Sequence, residues 1–178
     1  MMQRSGSLPD TVGRGAQGTE TAYGNTAYVM TLVLPPAGTT PQAWLGNVTA
    51  EDFTSALATP ATRQVELALP KFRLSLDRQL RTALEALGMG VAFRPGEANF
   101  TRLANDDLYL THVKQDVFID VNEEGTEAAA VTQVGVGVVS APQIVELRFD
   151  RPFLFFIRER LSGTILFAGV ITLPVTSS

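Results

Sequence analysis

The sequence predicts an α+β chain, rich in strands with a few short helices, and three observations carry that prediction. Several runs of five to fifteen residues alternate apolar and polar positions with a period of two, and Gly or Pro bounds most of them. Only one stretch, Leu76 to Leu87, repeats leucine at helical spacing over three turns. Residues 126–139 are almost all small or β-branched and contain no proline. Their even positions (Thr126, Ala128, Ala130, Thr132, Val134, Val136, Val138) are uniformly apolar or hydroxyl-bearing. That last run is written as a strand with one buried face, although the chain before it already reads as a strand.

At 178 residues the chain suits one domain, and a 45% hydrophobic share against 18% charged allows a substantial core. Lys and Arg number 14 against 18 Asp and Glu, a net charge of -4 with no basic cluster, which argues against a nucleic-acid partner. The absence of cysteine removes disulfides, thiolate nucleophiles and thiolate metal sites. No run approaches the length of a membrane span or a signal peptide, so no membrane partner is expected.

The elements follow in order. Residues 1–18, rich in Gly, Ser and Arg without a period, are expected to be loosely ordered. Thr19–Tyr23 and Ala27–Leu34 form a hairpin around Gly24-Asn25. Pro35, Pro36 and Gly38 end it. Thr40 before Pro41, and Thr49 before Glu51, cap two brief helices within 40–57. Arg63–Leu69 and Lys71–Leu76 are strands separated by Pro70. Leu76–Leu87 is the main helix, closed by Gly88 in a left-handed conformation. Asp107–Val121 is the longest ordinary strand, with Tyr109, Val113, Val117, Ile119 and Val121 on one parity. Ile144–Arg148, Phe153–Arg158 and Thr164–Leu173 complete the list, and the last two belong in the core of a sheet.

From Val121 onward, "VNEEGTEAAA" resembles the hinge of the serpin family. The surroundings agree in order and spacing: "AYGNTAYVMTLVLP" at 22–35, "VELALPKF" at 65–72, "ALEALGMGVAF" at 83–93, "FDRPFLFFIRE" at 149–159 and "GTILFAGVI" at 163–171. The resemblance covers the carboxy-terminal half of a serpin, and Met1-Met2 looks like an interior Met-Met of the family. It therefore implies a truncated, serpin-like α+β fold of predominantly antiparallel and mixed sheets with an exposed reactive loop. The whole chain, 1–178, is then a partial serpin domain whose hinge and loop are 122–142 and whose amino-terminal half is a missing partner.

For function the resemblance implies a suicide substrate. A serine protease cuts the bait loop, forms an acyl-enzyme, and is trapped when the severed loop inserts into the central sheet. Counting from the hinge places the reactive bond at Val139–Ser140, and valine before the bond suits an elastase-like protease. No Arg or Lys lies between Glu127 and Glu146 for a trypsin-like enzyme to grip. The hinge is Glu123, Glu124, Gly125, Thr126, Ala128, Ala129 and Ala130; the inserting face continues through Thr132, Val134, Val136 and Val138. These residues suit the task on physical grounds. An inserting strand bonds on both edges, which excludes proline until Pro142. Gly125 can change its backbone angles. Alanine orders with little side-chain entropy. Two positions depart from the family pattern: Gln115 stands where many serpins carry a histidine, and Val131 where a small residue is usual. The resemblance also implies an extracellular protein and requires no cofactor.

Other readings are weaker. His112 has no Cys or acidic cluster nearby and reads as structural or exposed. Ser140 has no base at a recognisable spacing, so an enzyme is not expected. "GVGVVS" at 135–140 lacks the third glycine and the strand-turn-helix setting of a dinucleotide loop. Glu123 and Glu124, adjacent on a strand, point to opposite faces and cannot share acid-base work. A non-inhibitory serpin, acting as a carrier or chaperone, and an inactive truncated product are the alternatives to inhibition.

Overall fold

The computed structural model describes residues 1–10, 15–23, 26–53, 61–122 and 144–174. These form two compact units, one of Met1–Phe72 with Val121–Ser178 and one of Arg73–Asp120.

The first unit is built on a seven-stranded sheet. Its strands are β1 (Met2–Asp10), β2 (Gln17–Tyr23), β3 (Tyr28–Leu34), β4 (Ala61–Leu69), β7 (Ile144–Arg148), β8 (Phe153–Glu159) and β9 (Ile165–Ile171). They stand in the order β7-β4-β1-β2-β3-β8-β9. Every pairing is antiparallel except β4 with β7, which is parallel. The hairpin β2–β3 appears as expected, with Gln17 opposite Leu34 and Tyr23 opposite Tyr28; its Gly24-Asn25 tip lies outside the described residues.

One expectation is corrected at the start of the chain. Residues 2–10 are not loosely ordered: β1 pairs with β4 along its whole length, from Met2 opposite Leu69 to Asp10 opposite Ala61. Gly and Ser weaken intrinsic strand preference, but nine consecutive pairings to a neighbour with Val65, Leu67 and Leu69 buried override it.

β3 and β8, fifth and sixth in that order, are interior strands with both faces covered, which is why each reads as a near-continuous apolar run. On one face Val33, Leu154 and Phe156 pack with Ala16 and with Trp44. Trp44 comes from α1 (Pro41–Leu45), whose Thr40 cap accepts a hydrogen bond from the Ala43 amide at 3.2 Å, as its sequence predicts. A second helical turn at 50–53 carries the other expected cap. The Thr49 hydroxyl oxygen accepts from the Asp52 amide, and the Asp52 carboxylate accepts from the Thr49 amide, a reciprocal capping box. That turn brings the Phe53 ring to 4.7 Å from Phe156, edge to face. On the opposite face Phe149 stands 5.1 Å from Phe153, and Phe72 meets both Phe153 and Phe155.

The first of these faces also holds a buried polar group that sequence reading passes over. Glu20 on β2, Thr31 on β3 and Arg158 on β8 are each buried. The Thr31 hydroxyl donates to Glu20 Oε1 at 3.0 Å, Arg158 Nε donates to Thr31 Oγ1 at 3.3 Å, and Arg158 Nη2 pairs directly with Glu20. The three residues thus tie three adjacent strands in one register. Sequence does hold a signal for one of them: Arg158 shares its parity of β8 with Leu154 and Phe156, both buried.

At the β8–β9 turn, the Glu159 carboxylate accepts from the Leu161 and Ser162 amides. Hydrogen bonding from Ser162, by side chain and backbone, and then from Leu161 holds its pKa at about 2 against the ordinary 4.5. Across β9, Gly169 lies opposite Phe155, and a Cβ there would come within 2.4 Å of the ring.

The second unit contains β5 (Phe72–Gln79, its first residue shared with the first unit), α2 (Arg81–Leu84), a π-turn at Glu85–Met89, a 3-10 turn at Gly90–Phe93 and β6 (Lys114–Val121, whose last residue belongs to the first unit). β5 and β6 form a two-stranded sheet. Here the expected helix is corrected: strand continues to Gln79 and helix begins only at Arg81. Leucines at 76, 80 and 84 satisfy strand parity as well as helical spacing, and pairing with β6 decides for strand over the first of them. Gly88, with φ 95°, takes the left-handed conformation expected of it. The expected strand over 107–121 is shorter, because residues 107–113 form no ladder and the strand begins at Lys114.

Three outcomes follow for chemical denaturation and NMR. Glu20→Ala or Arg158→Ala should each destabilise the chain by about 3–5 kcal/mol, because each strands one buried charge, whereas Glu20→Leu combined with Arg158→Met should cost far less. Gly169→Ala should cost ~1–3 kcal/mol by overpacking against Phe155, which is 1% exposed. The Glu159 carboxyl should still be ionised at pH 3.5; because its folded pKa is depressed, its turn-stabilising contribution is complete above pH 4.5 and fades as pH falls towards about 2.

Candidate functional site

The predicted site is the segment between β6 and β7. All of its named residues, Glu123, Glu124, Gly125, Thr126, Ala128, Ala129, Ala130, Thr132, Val134, Val136, Val138, Val139 and Ser140, lie outside the described residues. What the structure does give is the strand on which the segment begins and the strand on which it ends.

β6 leads into it. From Val117 onward its odd residues turn inward, Val117 and Ile119 half-buried and Val121 buried, in the parity expected from the sequence. Its even residues are exposed and form a charged, cross-strand face. Arg73 on β5 donates to Asp120 Oδ2 through Nη2 at 2.7 Å and through Nε at 3.2 Å, and its guanidinium carbon lies 5.8 Å from the centre of the Phe118 ring. Lys114 Nζ is 2.8 Å from Asp77 on β5 and 3.1 Å from Asp116. Hydrogen bonds to Asp77 and then Asp116 raise its pKa above the ordinary lysine value. These exposed pairs fix register more than they add stability. The opening of β6 is tied as well, since the Leu80 amide donates to the Val113 carbonyl at 2.8 Å.

Among the described residues β6 pairs with β5 alone, so its second edge carries no strand there. The last residues before the predicted hinge therefore end a well-registered strand, and the chain continues from it directly into a segment of strand pattern. Gln115, the departure from the family histidine, is exposed on β6. His112, also exposed, has its Nδ1 3.0 Å from the Thr111 hydroxyl.

β7 receives the segment. It begins at Ile144, where the sequence places it, and lies at an end of the seven-stranded sheet with β4 as its one described neighbour. Leu147 is its buried anchor. The chain then turns through Phe149, whose amide donates to the Ala68 carbonyl at 2.9 Å, and enters β8. Among the described residues, both attachment points are thus strands bound through one edge.

Residues 1–174 match the model of a family described as Serpin (serine protease inhibitor). The chain belongs to the serpin family. Over 174 residues it is 34% identical to glia-derived nexin of Mus musculus, covering 96% of this chain and 43% of the nexin. Over 157 residues it is 37% identical to plasminogen activator inhibitor 1 of Neovison vison, covering 87% of this chain and 39% of that inhibitor. The fold agrees with the native state of the thermophilic serpin tengpin, with a TM-score of 0.76, 28% identity and coverage of 98% of this chain and 46% of tengpin. It agrees also with thyroxine-binding globulin in complex with thyroxine, with a TM-score of 0.79, though at 24% identity that likeness concerns the fold alone. This serpin chain spans about two fifths of the length of those curated relatives. The family assignment and the serpin-like α+β fold expected from the sequence both hold.

Proposed function

We propose that this chain supplies the reactive loop and half of the supporting sheets of an inhibitory serpin, which traps a serine protease of elastase-like preference as a suicide substrate. The protease serine attacks the Val139 carbonyl, the Val139–Ser140 bond breaks with release of the Ser140 amine, and an acyl-enzyme forms at Val139. The freed segment reverses at Gly125 and runs alongside β6, extending the sheet. A strand from the amino-terminal portion of the longer protein closes its other side.

The observation that carries this reading is the continuity of β6 with a proline-free segment of strand pattern, at a strand whose second edge is unpaired among the described residues. Backbone groups on both edges of the inserted segment then find partners, and Val134, Val136 and Val138 leave water at roughly 1.5–3 kcal/mol apiece. Glu123 and Glu124 stay outside as charged anchors. The preference for an elastase rests on Val139 and on the lack of Lys or Arg in the segment, and the family description supports protease inhibition in general.

The test is to incubate the complete serpin with pancreatic elastase and separate the products under denaturing conditions. The expected product is a covalent complex that survives denaturant, with cleavage after Val139. Ala128→Arg and Ala130→Glu place a charge on the inserting face, at a cost of several kcal/mol if buried unpaired, and should cut the trapped fraction about tenfold or more in favour of simple cleavage. Undiminished trapping by either variant contradicts the insertion step. Cleavage of the unaltered protein without trapping contradicts inhibition and leaves a carrier-type serpin.

A further inference from the structure

Two short stretches, Asn47-Val48-Thr49 and Asn99-Phe100-Thr101, share the pattern that accepts an N-linked oligosaccharide: an asparagine, a hydroxyl residue two positions on, and no proline between. Neither takes part in the trapping proposed above. Both asparagines and both threonines are exposed, yet the local structure treats the two stretches differently.

At the first, both groups are already engaged. Asn47 follows the end of α1, and its Nδ2 donates to the Ala43 carbonyl at 2.9 Å, satisfying a carbonyl of the helix's last turn. The Thr49 hydroxyl donates to Asp52 Oδ2 at 2.8 Å and accepts from the Asp52 amide at 3.1 Å, within the capping box of the next turn. A hydroxyl has a single proton to give, so Thr49 has none left for Asn47. Val48, between them, packs against the Trp44 cluster.

At the second, asparagine and threonine engage each other. Asn99 lies in 94–113, a connection without helix or strand that joins the 3-10 turn to β6. The Thr101 hydroxyl donates to Asn99 Oδ1 at 2.8 Å, and the Thr101 amide donates to the same oxygen at 3.2 Å. Among the described residues Asn99 Nδ2 has no hydrogen-bond partner. An aspartate at 99 closes the same turn, because the turn uses the oxygen alone. What asparagine adds is an exposed, unengaged amide nitrogen with the threonine hydroxyl held beside it. The contacts at both stretches are local in sequence, so each arrangement can form before the sheets do.

We propose that Asn99 carries an N-linked oligosaccharide and that Asn47 does not. The step is transfer from a lipid pyrophosphate-linked sugar. A bond forms between Asn99 Nδ2 and the anomeric carbon, and the bond from that carbon to the pyrophosphate oxygen breaks. The lipid pyrophosphate leaves, and one Nδ2 proton passes to a basic group of the transferase. The proposal rests on the extracellular address that the family resemblance implies; it is independent of the reactive segment, so its failure leaves the inhibitory reading untouched.

Peptide mass spectrometry of the complete serpin isolated from its own host tests it. Glycans are released by an amidase in heavy-oxygen water, which turns each occupied asparagine into a labelled aspartate. The expected result is label at Asn99 and none at Asn47. Asn99→Asp, which keeps the turn and loses the nitrogen, should abolish the glycan's mass, as should Thr101→Ala; Thr101→Ser and Asn47→Gln should leave it in place. An unlabelled Asn99, label at Asn47, or a glycan mass that survives Asn99→Asp overturns the proposal. The label in the unaltered protein decides even where a variant fails to fold, because that reading needs no substitution.

Discussion

A β-strand carries its amide and carbonyl groups on two edges, and among the described residues β6 has only one edge engaged, by β5. Buried backbone groups without partners are costly, so such an edge either faces solvent or receives another strand. The sequence beyond Val121 supplies a candidate in continuous chain: fourteen residues from Thr126 to Val139 with strand periodicity, no proline and a glycine at the point of reversal. The proposed function follows from that pairing requirement more than from any single side chain. On that proposal no catalytic group has to be placed, because the attacking protease brings the chemistry and this chain contributes a change of fold.

Such a change needs a firm platform, and the first unit contains one. Its best-buried strands, β3 and β8, are covered on both faces, packed by Phe153, Phe155 and Phe156, and locked in register by the Glu20–Thr31–Arg158 group. A buried ion pair is weak evidence for stability, but misaligned strands would leave both charges unpartnered, so it favours one register over its neighbours. At the end of the same sheet lies β7, short and, among the described residues, paired with β4 alone.

Much of this was legible in the sequence because local signals and tertiary demands coincide. The β2–β3 hairpin, both threonine caps, the left-handed Gly88 and the bounds of β7 follow from turn chemistry, capping and alternation. β1 was not legible: its Gly6, Ser5, Ser7 and Pro9 carry no strand signal, and it is the partnership with β4 that makes it one. The reach of β5 was misread because leucines four apart fit a strand's parity as well as a helix's turn. The extent of β6 was overestimated because alternation reports which way side chains face, not whether a neighbour is present to bond. The buried Glu20–Arg158 pair depends on cross-strand register, which a single strand's sequence cannot supply. The hinge and reactive bond were read from residues the structure does not describe, so they stand on pattern and family resemblance.

The central claim is that the severed segment gains free energy by becoming an interior strand. The most direct measurement is to nick the complete serpin near Val139 and compare its melting temperature and the exchange of amides 126–138 with those of the uncut protein. The account predicts a markedly higher melting temperature and strong protection across 126–138 after the cut. An unchanged melting temperature with those amides still exchanging freely would contradict it.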